Sequence, residues 1–434
     1  MKVLVPGLAH LGSVTAACLA HLGHTVVGFD FDAAAVANLS KGVAPVLEAG
    51  LDNLLEQGLR SGNLRFSSII DDVRDAEIVW VCYDTPIEDD DVAGIHGVMS
   101  KIERVMQYMG ESAALLISSQ LPVGSVRRLR QYAAAHFPAR KTALSYSPEN
   151  LRLGTAVNDF LHPNRIVVGV MSSMDKPVLE RLLSTITASI EWMSVESAEM
   201  TKHAINAFFA ASIAFANEIA VICESVGADA KEVERGLKTE LRIGPGARLS
   251  PGAAFGGGTL ARDVGYLCAV ADARELTAPL LRSVLPSNDS HKLWTQRKIQ
   301  SLFPDLSHTT IAIWGLAYKP DTDSLRRSEA IALGDWLLRQ GATVRVHDPV
   351  VSRIPAHWQG VIRCDEPLEA IRGAHALVVA TAWSMYASIS AGQLSAVAPH
   401  LAVLDAGRVL SSLAAARSSP GYFYVGMPIE GSAK

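Results

Sequence analysis

At 434 residues the chain exceeds what one hydrophobic core ordinarily organises, so two or three domains are expected. Its 49% hydrophobic and 19% charged content describes compact globular protein and excludes a large disordered fraction. A net charge of −5 gives no broad argument for binding a nucleic-acid polymer or a membrane surface, and neither is expected as partner, although a local basic pocket for phosphate needs only a few arginines or lysines.

The chain opens with a βαβ rhythm. Lys2 to Pro6 reads as a short strand, Gly7 to Gly12 as a turn, Ser13 to Leu22 as a small-residue helix, and Thr25 to Phe29 as a strand ending at Asp30. Apolar runs at Ile78 to Tyr83, Ala113 to Ser118, Thr142 to Ser145 and Arg165 to Val170 follow, with helical patterns between several of them. Short continuous strands alternating with helices predict a mostly parallel sheet covered on both faces. Val178 to Ile186 predicts a helix, with a short run around Ile190 after it.

From Ala198 to about Val226 the chain reads as one long helix. Asn206, Asn217, Glu218 and Glu224 interrupt its apolar run, which favours a buried helix over a membrane span. Shorter helices continue to about Leu267, and the polar, proline-containing segment Pro286 to Asp305 is the expected connection to a second α/β unit. That unit begins near Thr309, with strands at Ile311 to Trp314, Thr343 to His347, Leu377 to Thr381 and Leu401 to Asp405, and a helix at Ser328 to Arg339. The expected fold class is α/β: two Rossmann-like parallel-sheet domains joined by a long central helix and a helical middle domain. The expected boundaries are 1–197 for the N-terminal α/β domain, 198–300 for the helical middle domain, and 301–434 for the C-terminal Rossmann-like domain. A substrate pocket is expected in the cleft between the α/β units.

Gly7-Leu8-Ala9-His10-Leu11-Gly12 follows a strand and opens a helix, in near match to the dinucleotide fingerprint, with Ala9 at the middle glycine position. Gly7 suits the tight turn, Ala9 stands where backbone approaches pyrophosphate, and Gly12 permits close helix–strand packing. Asp30 ends the next strand at the distance expected of a ribose-binding acid, and its charge selects NAD over NADP. Five scattered cysteines (Cys18, Cys82, Cys223, Cys268 and Cys364) form neither a disulfide framework nor a metal-ligand pair, which implies a reducing, cytoplasmic setting. The histidines lack a shared acidic or cysteine partner, and no metal site is expected.

Further motifs appear in one order along the chain: Thr85-Pro86; Pro122-Val123-Gly124-Ser125; Ser147-Pro148-Glu149-Asn150-Leu151-Arg152-Leu153-Gly154; Lys202-His203-Ala204-Ile205-Asn206-Ala207-Phe208; Phe255-Gly256-Gly257-Gly258-Thr259-Leu260-Ala261-Arg262-Asp263; and Gly315 to Asp323 with Arg326. On these motifs the chain resembles the UDP-glucose/GDP-mannose dehydrogenase family over nearly its full length. The resemblance implies an NAD-dependent enzyme that oxidises a nucleotide-linked hexose, forms a homodimer and is cytoplasmic. It implies catalytic work by Lys202, Asn206, Asp263 and Glu149, with Thr259 at the nucleophile position. Lys202 and Asn206 are four apart and share a helix face. The lysine suits an oxygen acquiring negative charge, the asparagine a sugar or water, and Asp263 and Glu149 a water or proton. On the cofactor side the resemblance adds Thr85, Gln120, Arg262 and Arg326. For the substrate it implies Asn150, Leu151, Arg152, Arg242, Phe255, Gly256 and Lys319, besides Lys202 and Asn206.

The departures fall within these motifs. Thr259 replaces the family's cysteine, whose thiolate carries the second oxidation through a thioester; a threonine hydroxyl needs strong activation to substitute. Leu153 replaces a second glutamate, Gln120 a threonine, Asn150 an aromatic and Arg262 a lysine. The expectation is a single two-electron oxidation of a UDP-glucose-like substrate. A thiol-independent route through both oxidations, an epimerase that retains NAD, and a catalytically silent nucleotide-sugar binder remain the alternatives.

Overall fold

The computed structural model describes residues 1–85, 94–140, 142–256, 258–410, 412–413 and 421–428. Pro86 and Gly257 of the motifs lie outside the described residues. The chain forms two compact units, Met1–Ile205 and Asn206–Lys434.

The first unit is built on an eight-stranded sheet. Its strands are β1 (Lys2–Pro6), β2 (Thr25–Phe29), β3 (Leu64–Ser67), β4 (Ile78–Val81), β5 (Ala114–Ile117), β6 (Leu144–Tyr146), β7 (Ile166–Val170) and β8 (Ile190–Ser194). They lie in the order β3-β2-β1-β4-β5-β6-β7-β8. Every pairing is parallel except β6 with β7. Strands β4 and β5 are buried at every residue, as strands covered on both faces must be. The sheet order reverses at β1 and β4, the switch point where doubly wound folds bind ligands.

In the second unit a parallel sheet is ordered β11-β10-β9-β12-β13-β14. Its strands are β9 (Thr310–Trp314), β10 (Thr343–His347), β11 (Ile362–Arg363), β12 (Ala376–Val379), β13 (Ala402–Leu404) and β14 (Tyr422–Phe423). Trp314 is fully buried at the centre, stacked on Tyr386 at 4.9 Å, with its indole N–H on the Pro367 carbonyl at 2.9 Å. Both sheets confirm the expected two Rossmann-like units.

The helix Val195–Val226 joins them and is long and apolar enough to cross a membrane by length and composition alone. Its polar residues are instead bonded within protein. Asn217 accepts from the Gly252 amide at 2.9 Å, and Glu224 accepts from the Trp294 indole at 3.0 Å. Those bonds mark a core helix of the second unit.

The segment Pro286 to Asp305, the expected connection to the second α/β unit, is largely helical: Pro286 lies inside the helix Pro279–Lys292, and Trp294–Leu302 is a further helix. Two of its polar residues are buried anchors. Asn288 is 2% exposed and bonds both the amide and the carbonyl of Phe255, at 2.9 and 3.0 Å, while His291 bonds the Gly252 carbonyl at 2.8 Å.

Candidate functional site

The turn after β1 has the geometry that its sequence suggests. Gly7 adopts φ +95°, and a Cβ there would lie 2.6 Å from the Tyr83 amide nitrogen. At Gly12 a Cβ would lie 1.6 Å from the Gly7 carbonyl oxygen, so only glycine lets the His10–His21 helix pack this closely on the turn. Ala9 has φ −74° in extended backbone and is exposed, so its methyl costs no strain. The Asp30 carboxylate accepts from the Leu8 amide at 2.8 Å and the Asp32 amide at 3.1 Å, which fixes its direction and leaves lone pairs for a ligand hydroxyl. Beside it the Tyr83 hydroxyl is buried without a hydrogen-bond partner among the described residues. Burial, then the Asp30 charge, raise the Tyr83 pKa and keep the phenol protonated. An aimed carboxylate beside an orphaned phenol fits a ribose, and the uncapped helix end fits a diphosphate.

The second unit repeats the pattern with a different outcome. Gly315-Leu316-Ala317 follows β9 as Gly7-Leu8-Ala9 follows β1, and Asp348 ends β10 as Asp30 ends β2. Gly315 has φ +88°, and the Leu316 amide donates to Asp348 at 2.6 Å. Asp348, however, is 3% exposed and also accepts from Ala317, Val350, Val351 and the Trp383 indole. Those backbone bonds outweigh the desolvation that would otherwise raise its pKa, and hold it below the usual range. No lone pair remains for a ribose. The following helix starts only at Glu329, so no glycine turn feeds a helix directly. Only the first unit therefore carries an open dinucleotide turn among the described residues.

Elsewhere in the first unit, Lys202 is 9% exposed. Its ammonium pairs with Glu149 Oε1 at 3.1 Å and donates to the Glu149 carbonyl at 2.7 Å, while Glu149 Oε2 accepts from the Leu151 amide at 3.0 Å. The lysine thus pins the Ser147–Gly154 loop. Behind Glu149 lies a cavity of about 80 Å³, lined by Trp80, Ser118, Ser147, Asn150 and Phe160 among others, room for two or three waters. Asn150 is exposed, and the Arg152 guanidinium is bonded to Asp159 at 2.7 and 3.0 Å, which leaves the loop backbone as the available contact. The Thr85 hydroxyl donates to the Gln120 carbonyl at 2.6 Å, joining the loops after β4 and β5. Glu199, fully buried, receives the Gly124 and Val126 amides at 2.6 and 2.9 Å and so fixes the Pro122–Ser125 turn. Neither the cavity nor Glu199 was anticipated from the sequence; an acid three residues before Lys202 on the same helix was the available signal for Glu199.

Within the second unit, the Asn206 side-chain amide donates to Asp263 Oδ2 at 2.5 Å, and Asp263 is fully buried. Arg262 Nε lies 3.9 Å from Asp263 Oδ1. Phe255 is held by Asn288, and Gly256 after it is exposed. Thr259 is exposed and is the first residue of the helix Thr259–Ala273. Cys268, nine residues on, lies about 13 Å further along that helix and on its opposite face. Arg242 is exposed and bonded to Glu240 at 2.8 Å. Arg326 is exposed, while the Lys319 ammonium lies 5.7 Å from the Tyr318 ring.

An open dinucleotide turn in one Rossmann unit, a second Rossmann unit closed to dinucleotides, and a buried lysine–carboxylate pair define a two-Rossmann nicotinamide-dependent dehydrogenase. The chain belongs to the UDP-glucose/GDP-mannose dehydrogenase family: residues 1–187 match its NAD binding domain, 196–290 its central domain and 312–412 its UDP binding domain. It is 32% identical over 402 residues to UDP-glucose 6-dehydrogenase of Pseudomonas aeruginosa, covering 89% of this chain and 88% of that one. It is 31% identical over 389 residues to UDP-glucose 6-dehydrogenase YwqF of Bacillus subtilis, covering 88% of each. Its fold is similar to that of a UDP-glucose dehydrogenase from Pyrobaculum islandicum, with TM-score 0.85, 26% identity and coverage of 98% and 97%. The cofactor is NAD, and the substrate is a nucleotide sugar.

Proposed function

We propose that this enzyme oxidises one hydroxyl of a nucleotide sugar, with UDP-glucose the first substrate to test, and stops after a single two-electron step. Two relatives are named UDP-glucose 6-dehydrogenase, which supports that choice. NAD supplies the hydride acceptor. Lys202 stabilises the substrate oxygen as its proton leaves, and Glu149, already paired with Lys202, is the proton acceptor, directly or through water. Asn206 and Asp263 hold a water or sugar hydroxyl between an amide and a buried carboxylate. Thr85, Gln120, Arg262 and Arg326 serve the cofactor, while the backbone from Asn150 to Arg152, with Arg242, Phe255, Gly256 and Lys319, serves the substrate. Residues 1–197, 198–300 and 301–434 are the proposed domains of a cytoplasmic homodimer.

The observation that carries the single oxidation is the place of Thr259. The first turn of a helix stabilises a thiolate and makes a cysteine there a nucleophile at neutral pH. A threonine hydroxyl gains nothing comparable, and the protein offers no substitute thiol. Cys18, Cys82, Cys223 and Cys364 are buried, and burial first, with Glu48 adding, pushes the Cys18 pKa up to about 12. Without a thioester, the carbonyl product of the first hydride transfer leaves as such.

Incubation with NAD and UDP-glucose, reading NADH and product mass together, should give one NADH per aldehyde or ketone, the carbonyl trapped by hydroxylamine. Two NADH per uronic acid would overturn the single step. Thr259→Cys should acquire a thiol that alkylating reagents titrate below the ordinary pKa of about 8.5, and should begin to form acid.

A further inference from the structure

Glu48 is a buried carboxylate that no step of the reaction uses. It lies just before the helix Leu51–Ser61, and its side chain is wholly inside the first unit. The Leu51 amide donates to the Glu48 carbonyl at 3.2 Å, and Leu51 and Leu55 are fully buried, so the backbone that carries the carboxylate is fixed. Burying a carboxylate is costly unless donors surround it, and here three N–H groups do. Oε1 accepts from the Ala156 amide at 2.9 Å. Oε2 accepts from the Gly154 amide at 2.8 Å and from His10 Nε2 at 2.9 Å. The two amides end the Ser147–Gly154 loop and open the helix Ala156–Leu161, whose own N-cap, Thr155, makes no side-chain bond to it. Lys202 therefore holds that loop near its start, at Glu149, and Glu48 holds it at its end. His10 belongs to neither segment. It opens the His10–His21 helix, inside the Gly7–Gly12 turn. One oxygen atom thus takes a donor from the dinucleotide turn and a donor from the sugar loop.

We propose that Glu48 is a positioning residue that couples these two segments, so that NAD and the nucleotide sugar each bind tighter when the other is present. The coupling rests on the reading above that the loop backbone from Asn150 to Arg152 meets the substrate. A ligand that orders one segment fixes the shared oxygen, and less ordering then remains for the ligand of the other. The same factor applies in both directions.

Titration calorimetry reads the coupling, with ADP-ribose in place of NAD so that nothing turns over. ADP-ribose should bind the unaltered chain at least about fivefold tighter with saturating UDP-glucose than without it. In Glu48→Gln, whose side-chain NH2 opposes the Gly154 amide, that ratio should fall to about one whatever either affinity does alone. A merely structural role would lower the number of binding sites and leave the ratio intact. His10→Phe breaks only the bond to the turn. It should lose the ratio while UDP-glucose alone binds as before, and His10→Gln, which can still donate to the carboxylate, should restore it. The His10 pair decides the matter should Glu48→Gln fail to fold. A ratio of one in the unaltered chain, a ratio that survives in either Glu48→Gln or His10→Phe, or equal loss in His10→Gln and His10→Phe would overturn the coupling. No binding of UDP-glucose to the unaltered chain would overturn the substrate reading, and the coupling with it.

Discussion

Glu234 bonds Ser250, on the stretch that follows the helix Ala230–Thr239 and also carries Arg242, and shows how one buried charge can hold a loop. It is 7% exposed and accepts from Lys231 at 2.6 Å, Lys238 at 2.7 Å and Ser250 at 2.5 Å. Burial pushes its pKa up, but the bonds to Lys231, Lys238 and Ser250 outweigh it and bring the value from 4.5 to about 2. A folded pKa below the unfolded one contributes stability that is complete above the unfolded value and lost as pH falls through the folded one. Stability should therefore decline between about pH 4.5 and 2 by at most on the order of 3 kcal/mol from this group. Unfolding by urea across that range, compared with Glu234→Gln, measures it; an identical pH slope in the variant would remove Glu234 from the account. Single residues differ in how far sequence reveals them. Gly7, Gly12 and Asp30 announce themselves by spacing, because a tight turn and a ribose leave few chemical choices. Glu199 lies three positions before Lys202, yet its bonds to the Gly124 and Val126 amides depend on how a helix meets a loop, which spacing does not encode.

Elements were legible where burial is continuous. β1, β2 and β10 fall on the expected residues, because each is an apolar run ended by a turn or an acid. β3 was missed: its sequence Leu-Arg-Phe-Ser buries only its ends, with Arg65 exposed. β11 and β14 are two residues each, too short to show a period. The helix Pro279–Lys292 has no clear signal in the sequence, since the proline and asparagine within it ordinarily mark loops. Its buried asparagine makes a testable claim. Asn288→Ala would strand the Phe255 amide and carbonyl without partners, at a cost of about 1–3 kcal/mol for each unsatisfied group. Denaturant unfolding should show that loss, and nucleotide-sugar affinity should fall with it as Phe255 and Gly256 shift. Asn288→Asp, which can still accept from the amide, should retain part of the stability. Wild-type stability in Asn288→Ala would show that the clamp is idle.

At the scale of the whole molecule, the motif order made the family and its chemistry legible, while assembly left a different trace. The helix Val195–Val226 exposes Phe208 (63%), Phe215 (49%) and Ile222 (56%). These three recur every seven residues, two helical turns, and so form one apolar stripe along the helix. Val226 and Phe209 are also exposed beside it. A stripe of aromatic and branched side chains of this length is costly to leave in water, and a second copy of the same helix offers the same stripe in return, as a two-fold contact requires. The proposed homodimer would bury it. Phe215→Glu with Ile222→Glu places charges in that contact and should shift the mass in sedimentation velocity from twice 46.3 kDa to the single chain. The unaltered protein should also unfold at a midpoint that rises with concentration, because association stabilises only the folded chain, and the double variant should lose that dependence. A paired mass that survives both substitutions would place the subunit contact elsewhere and leave the stripe unexplained by self-association.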